Sequence, residues 1–356
     1  MANVFVKGCA ARLAHLAAGL AFVFLASVPA RADLVYTCDP TIAAVTCNTL
    51  NTNIKSLYTN YFNDVNASIY ITLGNTGLGA SSTALNRVNY DGANGYYNAL
   101  KQDRTSADDF TAVNSLPAGN APAPLPGNLM FLTNANVRAL PGLGLTPKRG
   151  LQSDGDTFCN IGDAGCYDGV ITMSQAIFGI VGPPQFDFYT VAQHETDEVL
   201  GTGSCAFNNN GNSPGCVDGS GNTRFAPIDL FRYHGNGNRT FTSNPSGDNK
   251  SCFDNTTTNN ACFSIDGGNT MIIGFNNILN GANTADAGDY STNCAHVQDA
   301  AGCAGQSFNV DPNFELKELD VIGYTMVPEP AAMPIVALIG AGFFWGVRSR
   351  RRRGMA

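Results

Sequence analysis

The chain has 356 residues, of which 44% are hydrophobic and only 13% charged, and a formal net charge of −8. An acidic chain of this kind avoids nucleic acid and anionic membrane surfaces, whose phosphates repel it, while divalent cations are attracted. No internal repeat is present, so the length is to be explained by one sizeable domain and by whatever its ends carry.

The first element is an address rather than structure. Residues 1–32 carry Lys7 and Arg12, an apolar run from Leu16 to Ala26, and Ala30-Arg31-Ala32 as a small-residue cleavage site. This is the layout of a secretory signal peptide, cut by signal peptidase. Ten cysteines follow it in five close pairs, Cys38/Cys47, Cys159/Cys166, Cys205/Cys216, Cys252/Cys262 and Cys294/Cys303. An even count in an exported chain points to disulfides. Sequential pairing is the simplest choice, although spacing alone does not fix connectivity.

Residues 33–65 have mixed character. They contain a helical stripe from about Asn51 to Asn63 through Ile54, Leu57, Tyr58, Tyr61 and Phe62, and could be a pro-segment. Ala67–Leu73 alternates and predicts a strand. Gly74–Ser82 reads as a Gly-rich turn, Tyr90–Asp103 as helical, and Ser106 as the N-cap of a second short helix. Pro117–Pro126 is a linker or surface loop, Asn134–Leu140 a short helix, and 150–168 an Asp/Gly/Cys-rich loop. Gly169–Ser174 predicts a strand, placed at a sheet edge, with Pro183-Pro184 separating it from the next helix.

That helix carries the chemistry. Within Asp187–Ser204 lies His194-Glu195-Thr196-Asp197-Glu198, with Val191, Ala192, Val199 and Leu200 giving an apolar side. Helical spacing sets His194 and Glu198 one turn apart on one face, where two side chains can grip a metal ion. In H-E-x-x-H zinc hydrolases the Glu beside the first His works on a water. Here Glu198 replaces the second His, and a carboxylate is an acceptable zinc ligand. Gly201 stands where the metzincin pattern H-E-x-x-H-x-x-G-x-x-H has its glycine, and Ser204 where it has its third His. Asp197 points off the ligand face and reads as solvated. The plain alternative is an acidic solvated helix with an incidental His.

Asp218–Asn222 (DGSGN) is an oxygen-rich pattern of the kind that binds Ca²⁺, with a solvated turn cluster as the favoured reading. Ile228–His234 alternates and predicts a strand. Its Asp229 and His234 are the candidates for a third metal ligand, ahead of His296. Phe263–Phe275 predicts a hairpin and Glu315–Tyr324 a last helix.

At the C-terminus Pro328-Glu329-Pro330 precedes an apolar run, 331–347, and a cluster of arginines. Seventeen apolar residues are at the short limit for a membrane span, with the basic cluster cytoplasmic. Residues 327–356 resemble the bacterial PEP-CTERM sorting signal. That resemblance implies transient inner-membrane anchoring, recognition by an exosortase, and release to the cell surface or beyond. Setting both ends aside removes eight basic residues and one acid, leaving 12 basic and 27 acidic residues, a net charge of −15 over the domain expected at 33–326.

Several segments in one order, HETDEVLG, IDLFRYHGNGNRTFT, CFSIDGGNTMIIGFN, AGDYS and ELKELDVIGY, resemble secreted bacterial metalloproteases that bear PEP-CTERM tails. That group is metzincin-like with Glu in place of the second His. The resemblance implies an α+β, zincin/metzincin-like fold with a twisted sheet, an active-site helix and disulfide-stapled loops. It implies a zinc endopeptidase acting on a peptide or protein substrate, with His194 and Glu198 as ligands and Glu195 as general base. The rival expectation is a non-catalytic matrix or surface protein, favoured by the high Gly and Asn content and the missing third His. Glu195 separates the two, since only an enzyme needs a carboxylate beside the first ligand.

Overall fold

The computed structural model describes residues 32–119, 128–175, 185–206, 216, 224–234, 237–241, 261–276, 286–292 and 294–327. Residues 1–31 of the expected signal peptide, Asp218–Asn222, Cys252 and the segment from Pro328 onward, including 331–347, lie outside the described residues. Among those described, no helix is long and apolar enough to cross a membrane. The protein is a mixed α+β structure with several sheets and short helices.

The main sheet has four strands in the order β1-β2-β8-β3. β1 (Asp33–Cys38) runs parallel to β2 (Asn66–Gly74), and β2 parallel to β8 (Gly169–Ser174). β3 (Gly79–Thr83) closes the sheet antiparallel to β8, pairing Gly79 with Met173 and Thr83 with Gly169. Two expectations are corrected here. The stretch Gly74–Ser82 is not only a turn but supplies the edge strand, and Gly169–Ser174 is an interior strand flanked on both sides. Its residues are buried or nearly so along the whole strand, as a strand covered on both faces requires.

Residues 33–65 are built into this sheet rather than laid over it. β1 alternates exposed and buried positions and sends Leu34 and Tyr36 into the core. After it comes a helical run, α1 (Ala44–Thr49), a π turn (Leu50–Ile54) and α2 (Lys55–Thr59), starting earlier and ending earlier than the stripe predicted. Leu50, Ile54 and Tyr58 from this run are buried. Residues 33–65 therefore share strand register and core with the rest of the domain.

β4 (Leu85–Asn89) pairs antiparallel with β5 (Leu129–Thr133), and between them lie α3 (Tyr96–Asp103) and α4 (Ala107–Ser115). Ser106 caps α4 as predicted, in a capping box with Asp109. α5 (Asn134–Ala139) is held to the sheet by Arg138, which meets both oxygens of buried Asp168 at 2.7 and 2.8 Å. The loop over 150–168 carries a small ladder, β6 (Arg149–Leu151) with β7 (Phe158–Asn160).

A second sheet, ordered β10-β9-β11-β12, follows the site helix. β9 is only Arg232–His234, because Pro227–Phe231 forms a 3-10 turn where alternation had predicted strand. β10 is Asn238–Arg239, and β11 (Cys262–Phe263) pairs with β12 (Ile273–Gly274) as the expected hairpin. The last helix, α7 (Glu315–Val321), buries Leu316 and Leu319 in the main core.

Disulfides join Cys38–Cys47, Cys159–Cys166, Cys205–Cys216 and Cys294–Cys303, with Cα separations of 5.4–6.0 Å, and Cys262 is also disulfide-bonded. The four described bridges follow the sequential pairing.

Candidate metal centre

The site is built on α6 (Phe188–Leu200). Asp187 starts this helix by accepting hydrogen bonds from the Tyr189 and Thr190 backbone amides. Its apolar face, Val191, Ala192, Val199 and Leu200, packs into the core against β3 and β8. The approach is close. A side chain at Gly169 would run into Val199, and one at Gly79 into Val191 and the Glu195 carboxylate. Gly201 ends the helix with φ +122°, a value an L side chain resists, and its amide caps the Asp197 and Glu198 carbonyls.

On the face turned away from the core, His194 Nε2 lies 3.8 Å from Glu198 Oε1 and 3.5 Å from Asp289 Oδ1. These three side chains each offer a ligand atom, all within 4.8 Å of one another, and they are the one such group among the described residues. The imidazole is already set for coordination. Its Nδ1 is 3.0 Å from the Val297 carbonyl oxygen, which can only accept, so Nδ1 carries a proton and, in the neutral imidazole, Nε2 is the nitrogen left to coordinate. Glu198 is oriented as well, its Oε2 accepting from Ser81 Oγ of β3 at 2.6 Å. One nitrogen and two carboxylate oxygens are a donor set that could hold a divalent cation.

The group is surrounded by further buried acids. Glu195, Asp286 and Asp289 are all buried, and burial is the main reason their carboxyls hold protons well above the ordinary range. The charge of Glu198 pushes each of them further up. Carboxylates packed this way repel one another when ionised, and either bound protons or a cation among them relieves that repulsion.

The third ligand position departs from the sequence expectation. Asp289, inside AGDYS, faces His194, whereas Asp229 and His234 do not join the group. Asp229 is 1% exposed and holds other backbone in place, accepting from the amides of Cys205 (3.0 Å) and Ala226 (2.9 Å) and from Ser204 Oγ. His234 ends β9 opposite Asn238. His296 packs between the rings of Tyr290 and Phe314. Ser204, at the place of a third His, works at one remove: its amide donates to the Asp286 carboxylate at 3.1 and 3.2 Å, pinning the turn that carries Asp289. Arg232 supports the same turn through the Ala287 carbonyl at 2.6 Å. The IDLFRYH segment is therefore scaffold to the site.

Asp197 also departs from expectation. It is 0% exposed rather than solvated, accepting from Gln298 Nε2 at 3.2 Å, and burial with the nearby Glu315 pushes its carboxyl up to about 8. No sequence signal marked Ser81, Val297 or Gln298, which come from a strand read as turn and from a loop distant in sequence. Compared with models of known families, with curated proteins and with solved structures, the chain has no match.

Proposed function

We propose that the protein is an exported, metal-dependent endopeptidase whose centre is His194, Glu198 and Asp289, with Glu195 as its general base. The observation that carries this reading is the His194 imidazole, its Nδ1–H fixed by the Val297 carbonyl and its Nε2 turned to two carboxylate oxygens. A purely structural acidic surface has no use for three convergent, pre-oriented donors beside a fourth, buried carboxylate. A zincin-like arrangement is supported by the sheet order, in which a single antiparallel strand, β3, forms the edge beside the site helix.

A divalent metal, zinc by the donor set, would supply Lewis acidity that polarises the scissile carbonyl and eases deprotonation of a water. Residues of the chain do the rest. Glu195 takes the proton from the attacking water on a carboxylate oxygen and delivers it to the departing amine nitrogen. Its burial gives it the high proton affinity that a shuttle needs. Ser81 and Val297 hold Glu198 and His194 still. Among the described strands β3 is an edge, and its outer side is where an extended peptide would add as a further strand. The PEP-CTERM-like segment and the disulfides are consistent with work outside the cytoplasm.

The experiment is metal content. Protein made in an oxidising compartment with zinc offered during folding is analysed by mass spectrometry beside His194→Ala. One zinc per chain, lost in the variant, supports the centre. No transition metal in either leaves the matrix-protein reading.

A further inference from the structure

The His194–Val297 bond depends on what holds Val297. The Val297 and Gln298 amides both donate to Oε1 of Glu315, at 2.9 and 3.2 Å. Oε2 of the same carboxylate accepts from the Asp311 amide at 3.0 Å. Glu315 is the first residue of α7 and is 0% exposed. The loop it grips returns to the site helix twice, through the Val297 carbonyl to His194 Nδ1 and through Gln298 Nε2 to the His194 carbonyl at 2.9 Å. We infer that Glu315 is a positioning residue for the metal centre: by holding two consecutive amides it aims the Val297 carbonyl at His194 and fixes the imidazole for coordination.

The inference rests on the metal-centre reading but adds to it a residue that touches none of the three ligands. The physical reason is economy of backbone. A carbonyl in an irregular loop is aimed only as well as its peptide plane is fixed. The Val297–Gln298 peptide carries both the carbonyl that meets His194 and, on Gln298, an amide that meets Glu315. Clamping that peptide plane from the amide side sets the direction of the carbonyl on the other. Reach, rather than charge, is what Glu315 supplies.

That distinction gives the test. Glu315→Gln keeps the reach and an acceptor oxygen for both amides, giving up the Asp311 bond. Glu315→Asp keeps the charge but is one methylene short. Leu319→Ala, on the same helix and buried in the core, reports general loosening. Zinc affinity of each folded protein is measured by competition with a chromophoric chelator. In the metal-free proteins the His194 Nδ1–H signal is followed by NMR. Glu315→Asp is expected to bind zinc about 10–100-fold more weakly, the range typical of outer partners of a ligating His, and to lose the Nδ1–H signal. Glu315→Gln and Leu319→Ala should keep both. Equal affinity in all four proteins, loss in the Gln variant with retention in the Asp variant, or equal loss in all three variants would each overturn the inference. Failure of the wild-type protein to bind zinc overturns the metal reading instead, and the Nδ1–H signal then still decides whether Glu315 orients His194.

Discussion

Tyr36 on the first strand and Thr196 on the site helix share a buried hydrogen bond of 3.1 Å across 160 residues of sequence. A second tie runs parallel to it, from Tyr58 hydroxyl to the Gln193 carbonyl at 3.2 Å. The N-terminal segment of the domain, residues 33–65, is thus part of the wall behind the candidate metal centre. Tyr36→Phe removes one bond while Thr196 keeps its own to the Ala192 carbonyl, so the expected loss is about 1 kcal/mol in denaturant unfolding. Removal of residues 33–65 is expected to abolish folding, read as loss of the cooperative transition. A truncated protein that unfolds cooperatively would contradict this account of β1.

In the proposed enzyme Glu195 would have two roles, which one substitution separates. Glu195→Gln removes the proton carrier and is expected to lower kcat/KM for a peptide substrate by about 10²–10⁴-fold with zinc content unchanged. In the metal-free protein the same change removes a buried carboxylate that Glu198, Asp289 and Asp286 repel. The variant should therefore melt at a higher temperature than the parent at pH 8. A variant that loses zinc along with activity would make Glu195 a ligand instead.

Third-ligand assignment is open to direct comparison. Asp289→Asn is expected to weaken zinc binding at least about 10-fold, since it replaces a charged donor in the group of three. His234→Ala should leave affinity unchanged. Asp229→Asn should chiefly lower thermal stability, because Asp229 satisfies two backbone amides and Ser204 rather than a cation. Reversed ranks for Asp289 and His234 in the same titration would return the ligand to β9.

Much of the site helix was legible because its signals are local. The Asp187 cap, the apolar side and Gly201 lie within one stretch, and Ala67–Leu73 announced β2 by simple alternation. β3 was hidden for a physical reason. Gly79-Ala80-Ser81-Ser82 has no apolar alternation because the glycine must make room for Glu195 and Ser81 must bond Glu198. At Ile228–His234 the alternation was real, but Pro227 and the Asp229 cap wound its first part into a 3-10 turn. Asp197 shows the limit of helical periodicity: the period says which face a side chain is on and nothing about what covers that face. Asp289 and Val297 could not be found by spacing, since the loop that brings them is placed by Ser204, Arg232 and Glu315.

The metal-free protein should be most stable in mild acid. Asp64 is pushed up to about 6 and Asp103 to about 7, mainly by burial, and Asp320 to about 8 by burial and then Asp109. Folding raises each pKa above the unfolded value of about 4, so the native state binds more protons in between. The stabilisation is complete below about pH 4 and is lost as pH rises through about 6, 7 and 8. Unfolding free energy measured across that range should fall, and Asp103→Asn should flatten the fall around pH 7. Stability that climbs from pH 5 to pH 8 would contradict the burial of these groups.

The two ends of the described domain meet. The Asp33 amide donates to the Val65 carbonyl at 2.8 Å, that of Asn63 to the Thr325 carbonyl at 3.1 Å, and that of Val327 to the Tyr61 carbonyl at 2.6 Å. Entry and exit of the chain are thus stitched to the same short stretch, residues 61–65. Mechanically the domain hangs from one corner. A pull on whatever continues beyond Val327 meets that seam first, and only then Tyr324, whose hydroxyl donates to the Leu200 carbonyl at the end of the helix that carries His194. The same proximity makes the domain a good subject for circular permutation: a short linker from Val327 to Asp33 with new termini in an exposed loop would leave strand order and metal centre in place.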